Sequence, residues 1–128
     1  MNKKPFEKLT DIMKKLLSEK GCPWDKEQTP EGLLKYMYEE ADEVSHAVKA
    51  RDWEGVKEEL GDLLMQIIFQ SELARRKGRF DINGVIKNLN DKLIRRHPHV
   101  FGKSKAKTSK QVLAQWQKIK SKEKRSKK

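Results

Sequence analysis

Between Tyr38 and Asp62 the chain places Glu40-x-x-Glu43 and, sixteen residues after Glu43, the start of Glu59-x-x-Asp62, with a break at Arg51-Asp52 between them. Two helical segments joined by a turn of two or three residues must fold back on each other as an antiparallel hairpin. In such a hairpin, residues equidistant from the turn lie at one level. Glu40 then faces Asp62 and Glu43 faces Glu59, and both pairs are centred on residue 51, where the break stands. Residues i and i+3 share a helix face, so the four carboxylates form two facing levels about one turn apart.

The rest of the chain reads as helix, with no β-alternation and no internal repeat. Phe6, Leu9, Ile12 or Met13, Leu16 and Leu17 recur at helical spacing, which predicts a first helix over 5–19, broken by Gly21 and Pro23. "GCPWDKEQT" is then a loop. Thr29 as N-cap and Pro30 at the first helical position open a second helix to about Ala50. Asp52 caps a third from Trp53 to about Lys77, with Gly78 suited to a left-handed C-terminal position. A fourth helix runs from Asn83 to Arg96 and stops before Pro98, and a fifth runs from Ser109 to about Lys122. The expected fold is all-α.

Rotation at about 100° per residue assigns Leu33, Met37, Ala41, Val44 and Val48 on the second helix, and Val56, Leu60, Leu63, Leu64 and Ile67 on the third, to the core. The acidic pairs flank those stripes. Met65, Ile68 and Phe69 fall outside the third helix's stripe and call for a second burial partner, which predicts a homodimer or homotetramer.

Charge divides the chain. Of 30 Lys and Arg, eleven fall in residues 103–128 against a single acid, Glu123, whereas residues 1–102 are close to neutral. We expect a helical domain over 1–102 and a Lys-rich tail with a short helix over 103–128. A nucleic-acid partner would have to use that tail, and plain solubility is its commoner role. There is no run of about 18 apolar residues to span a membrane, and Met1-Asn2-Lys3-Lys4-Pro5 does not lead into a signal-type apolar segment. The expected location is cytoplasmic, and the lone Cys22 fits a reducing compartment.

Two carboxylates about 4 Å apart repel by roughly 4 kcal/mol at an effective dielectric near 20, so four require protons or cations. All-oxygen ligands favour Mg²⁺, with Mn²⁺ as substitute, over zinc, and Mg²⁺ on carboxylates keeps positions open for water and phosphates. The implied chemistry is metal-assisted attack on a phosphate chain. Solvated, paired helix charges are the simpler reading of the same residues, and Glu39, Asp42, Glu54 and Glu58 fit it equally well.

"GCPWDKEQT", "YEEADEV", "EELGDLL", "GRFD", "DKLIRRHPHVFG" and "VLAQWQKIKSKEK" together resemble the MazG family of nucleoside triphosphate pyrophosphohydrolases over nearly the whole chain. The resemblance implies an oligomeric four-helix bundle that uses Mg²⁺ to hydrolyse NTP or dNTP to monophosphate and pyrophosphate. It places metal ligands on Glu40, Glu43, Glu59 and Asp62, and a water-orienting or proton-accepting role on Glu39. Asn90, Lys92, Arg95 and Arg96 match a region whose cations hold the phosphate chain, although a helix C-terminus attracts such cations by itself. Trp24 is either a hydrophobic plug beneath its loop or a base-stacking ring. Trp53 and Trp116 read as packing residues. Where family members carry QTHxSL this chain has "QTPEGL", so Pro30 and Gly32 replace a His and a Ser near the base-recognition region. The alternatives are a catalytically weak regulatory or interaction module, and a nucleic-acid-binding protein acting through the tail. A P-loop and a G-x-S-x-G elbow are both absent from the sequence.

Overall fold

A computed structural model describes residues 3–126. Those residues form seven helices and no strand: α1 (Pro5–Leu16), α2 (Pro23–Lys26), α3 (Leu34–Lys49), α4 (Trp53–Arg76), α5 (Ile82–Arg96), α6 (Pro98–Phe101) and α7 (Ser109–Ser126). They fall into two compact units, one up to Ile82 and the other from Asn83 onward. Among the described residues no helix is long and apolar enough to cross a membrane.

The first unit is built on the α3–α4 hairpin, with α1 laid against α4. Its core is Met13, Leu17, Leu33, Ile68 and Phe69, flanked by Leu9, Tyr36, Leu73 and Ile82. This corrects the expected stripe. Leu60, Leu64 and Ile67 are exposed, whereas Ile68 and Phe69, expected to need an outside partner, are 2% and 3% exposed. Helix α1 is the reason: it covers the side of α4 that the two-helix reading left open, and turns the remaining apolar face, with Met65, to solvent. Trp53, at 61% exposure, also packs against little in the single chain.

Helix α3 begins at Leu34, four residues later than the Pro30 start expected. Thr29 does cap, but its Oγ1 accepts from Gly32 N–H at 3.0 Å and closes a turn over residues 30–33 before the helix proper begins. The expected loop holds the one-turn α2, started by Pro23 with its preset φ. Likewise Pro98 both ends α5 and opens α6.

Two helix ends share one hydrogen-bond scheme. Asp52 N–H donates to Ala47 O (3.1 Å) and Arg51 N–H to Val48 O (3.0 Å), with Arg51 left-handed at φ 55°. At the far end of α4, Arg79 N–H donates to Ala74 O and Gly78 N–H to Arg75 O, both at 3.0 Å, with Gly78 at φ 70°. This is the Schellman arrangement, which satisfies the last carbonyls of each helix. Gly78→Ala therefore loses about 1 kcal/mol through its φ alone, since nothing lies near the new Cβ. Gly21→Ala loses more, about 2 kcal/mol or above, because its Cβ would fall onto the carbonyl oxygens of Leu16 and Lys15. Urea unfolding of the two variants checks both the sizes and their order.

In the second unit, α7 runs to Ser126, past the expected Lys122. His99 and Ser104 meet Gln115 of α7 through hydrogen bonds. Glu123 joins α7 to the end of α5 through Arg95 and Arg96.

Candidate metal centre

The turn sets the register of the hairpin. Arg51 closes α3, and Asp52 opens α4 by accepting from Gly55 N–H at 3.1 Å. Eleven residues before and after position 51, Glu40 and Asp62 come to one level. With Glu59 they form a group in which one carboxylate oxygen from each residue lies within 4.8 Å of the others. All three are half-buried.

Burial raises the Glu40 carboxyl above its ordinary range, and the charges of Asp62, Glu43 and Glu39 raise it further. Glu59 is raised for the same reasons, burial first and then Asp62, Glu43 and Glu40. Neighbouring negative charges that hinder the ionisation of Glu40 and Glu59 are the electrostatic condition under which a cation binds. Gln66 lies one turn beyond Asp62 on the same helix face. It is 4% exposed, and its Oε1 accepts no hydrogen bond among the described residues. The donor set is entirely oxygen, which fits a hard divalent ion.

The other expected site residues are distributed as follows. Glu43 is exposed and is not one of the three within 4.8 Å, though its charge acts on Glu40 and Glu59. Glu39 is exposed beside Glu40. Trp24 is 50% exposed, with its ring edge-on to Tyr36 at 5.9 Å between centroids. Asn90, Lys92, Arg95 and Arg96 lie on α5, in the second unit. Arg95 Nε donates to Glu123 Oε2 at 2.5 Å and Arg96 Nη2 to Oε1 at 2.8 Å. Asp91, a same-face neighbour of Arg95 in sequence, pairs with Lys87 instead, at 3.2 Å.

Glu123 and Gln66 are the residues that sequence reasoning passed over. Hydrogen bonds from Arg96 and then Arg95 pull the Glu123 carboxyl down to about 2. Its signal was available, as the single acid in a tail of eleven cations. Gln66 gave none beyond its place in a Glu59, Asp62, Gln66, Gln70 stripe along α4.

An all-helical hairpin with clustered half-buried carboxylates and no glycine-rich phosphate loop defines a carboxylate-centred α-protein. A family profile described as the MazG nucleotide pyrophosphohydrolase domain matches residues 28–101, and the chain belongs to that family. The chain is 49% identical over 123 residues to the nucleoside triphosphate pyrophosphohydrolase/pyrophosphatase MazG of Thermotoga maritima, covering 96% of this chain and 47% of that protein. It is 46% identical over 123 residues to the nucleoside triphosphate pyrophosphohydrolase of Escherichia coli K12, covering 95% and 47%. The chain thus spans about half the length of these relatives. The crystal structure of a mazG-related protein from Thermotoga maritima matches with a TM-score of 0.75 at 29% identity, covering 90% of this chain and 98% of the other.

Proposed function

We propose that this domain hydrolyses nucleoside triphosphates, ribo or deoxyribo, to the monophosphate and pyrophosphate with the help of Mg²⁺, for which Mn²⁺ can substitute. The observation that carries the reading is the meeting of Glu40, Glu59 and Asp62 across the hairpin. The activity named for relatives at 49% and 46% identity supplies the reaction class.

In this reading Glu40, Glu59 and Asp62 hold the ion, and Glu43, one turn from Glu40, is a fourth ligand. A bound Mg²⁺ supplies Lewis-acid polarisation of the phosphate oxygens and offsets their charge. Glu39, exposed beside the cluster, orients a water and accepts its proton at a carboxylate oxygen as that water attacks the α-phosphorus. The α–β anhydride bond breaks, and its electron pair leaves with pyrophosphate. No covalent enzyme intermediate is required.

Lys92, Arg95 and Arg96 bind phosphate oxygens through charge-assisted hydrogen bonds, and Asn90 adds a neutral amide donor. Arg96 turns Nε and Nη2 toward Glu123, so the Nη1 edge is the one it offers to phosphate. The half-exposed face of Trp24 serves as a stacking surface for the base. The exposed Leu60, Leu64 and Ile67 share a face of α4 at i, i+4 and i+7 spacing, and we assign that face to a homodimer or homotetramer.

The test is pyrophosphate release from a panel of ribo- and deoxyribonucleoside triphosphates, with Mg²⁺ and in metal-free buffer. Metal-dependent release with monophosphate as the only nucleotide product is the expected result. Release of inorganic phosphate and a nucleoside diphosphate, or no release from any triphosphate, contradicts the proposal.

A further inference from the structure

A second polar site lies at the opposite end of α4 from the hairpin turn. Here the α2 segment, the stretch up to Pro30 and the end of α4 enclose a cleft of about 410 Å³. Among its lining residues are Lys26, Arg76, Lys77 and Arg79, with Glu27 as the only acid. Fourteen residues along α4 separate Asp62 from Arg76, about 21 Å at 1.5 Å per residue, so a phosphate chain held by the carboxylates does not reach it.

The walls of the cleft are fixed. Gln70 Nε2 donates to Pro30 O at 2.9 Å and ties the 26–30 segment to α4. Lys26 Nζ donates to Glu19 O at 2.8 Å. Arg76 Nε donates to Glu72 Oε2 at 3.2 Å, and its Nη2 reaches Lys14 O at 3.3 Å. Glu72 itself is 6% exposed, and Arg75 grips it through two bonds of 2.7 and 2.8 Å. Burial raises the Glu72 carboxyl, but Arg75 and then Arg76 outweigh it and hold it below the ordinary range, so the anchor stays charged.

The end of a helix attracts cations, which accounts for basic residues at 75–77 on α4. It does not account for Arg79, which lies beyond the Gly78 turn, nor for the meeting of two such ends, that of α4 and that of α2 with Lys26, at one cleft. Arg75 and Arg76 both pair with Glu72, whose single negative charge offsets only one of the two. Lys77 and Arg79 have no ion pair among the described residues, so the cleft carries uncompensated positive charge.

From this geometry we infer that the cleft between α2 and the end of α4 is a binding site for a small oligophosphate anion, such as inorganic triphosphate or the phosphate chain of a nucleotide, separate from the carboxylate centre. Its volume is that of a small-molecule pocket, and it has two walls, so it suits a compact anion better than a strand of nucleic acid. Lys77 and Arg79 supply the free donors. Arg76, held by Glu72 and Lys14, sets the floor.

The experiment is calorimetric titration of inorganic tripolyphosphate into metal-free protein, for the wild type, Lys77→Ala/Arg79→Ala and Arg96→Ala, with melting curves to confirm folding. Binding at one site per chain is expected without Mg²⁺. The double variant should weaken it at least about tenfold, since each charge-assisted bond to the anion is worth about that much or more. Arg96→Ala should leave it unchanged, and the double variant should keep the wild-type rate of pyrophosphate release at saturating substrate. Should the double variant unfold, Arg79→Gln alone must still weaken binding. The inference is overturned by absence of binding in metal-free buffer, by loss of binding in Arg96→Ala rather than in the double variant, or by a cleft-dependent affinity for a single-stranded oligonucleotide with none for tripolyphosphate. Because every binding arm is metal-free, failure of the carboxylate reading does not alter its outcome.

Discussion

Asp62→Asn and Glu40→Gln are each expected to lower metal-dependent pyrophosphate release at least about a hundredfold, since even residues that only support metal ligands cost 10- to 100-fold. Both variants keep the shape of the side chain and remove only a charge. The fold should therefore survive, and Glu40→Gln should melt at a higher temperature than wild type without metal. Burial first, and then the charges of Asp62, Glu43 and Glu39, resist the ionisation of Glu40. Lost activity together with raised metal-free stability separates a functional carboxylate from a structural one, whose loss would lower both. Glu39→Gln should behave differently, reducing turnover while leaving ion binding intact, because Glu39 is exposed and is assigned to the water. Initial rates with Mg²⁺ and melting curves without it check the set.

The stability gained from divalent ions should grow with pH. Glu40 and Glu59 have folded-state pKa values above their ordinary 4.5, so the folded chain holds their protons more tightly than the unfolded chain does. The stability from that preference is complete below the unfolded value and is lost as pH rises through the raised folded values. Metal-free protein should lose this contribution as pH rises from 4.5 through the raised folded values, and Mg²⁺, proposed to bind the deprotonated cluster, should restore it there and do little at acid pH. Glu72 and Glu123 act in the opposite sense. Their pKa values are lowered, Glu123 to about 2, so the stability from their ion pairs is complete above the ordinary 4.5 and is lost as pH falls below it through the lowered folded values. Thermal midpoints across pH 4 to 8, with and without Mg²⁺, should therefore diverge as pH rises. Curves that stay parallel would remove the carboxylate cluster from the account.

Much of this was legible before any coordinates. The hairpin, its turn at Arg51-Asp52 and its capping by Asp52 followed from spacing, because a short turn leaves two helices only one way to meet. The level of Glu40 and Asp62 came from the same spacing, whereas Glu43, further toward the turn and on an exposed face, is not drawn into the close group. The buried side of α4 was misread for a physical reason. Ile68 and Phe69 lie outside the stripe that faces α3, and pairwise periodicity does not reveal that α1 covers them with Met13 and Leu17. The start of α3 was misplaced because Thr29 caps a turn as readily as a helix. The Arg95 and Arg96 contacts were illegible because their partner, Glu123, is 27 residues or more away in sequence.

The most direct test of the central claim is calorimetric titration of Mg²⁺ into metal-free wild type and Asp62→Asn at neutral pH, followed by the release assay on the same samples. Saturable binding by the wild type, lost together with pyrophosphate release in Asp62→Asn, is the predicted result. Equal binding by the two proteins, or release that persists in Asp62→Asn, would contradict the assignment of the metal centre to the α3–α4 hairpin.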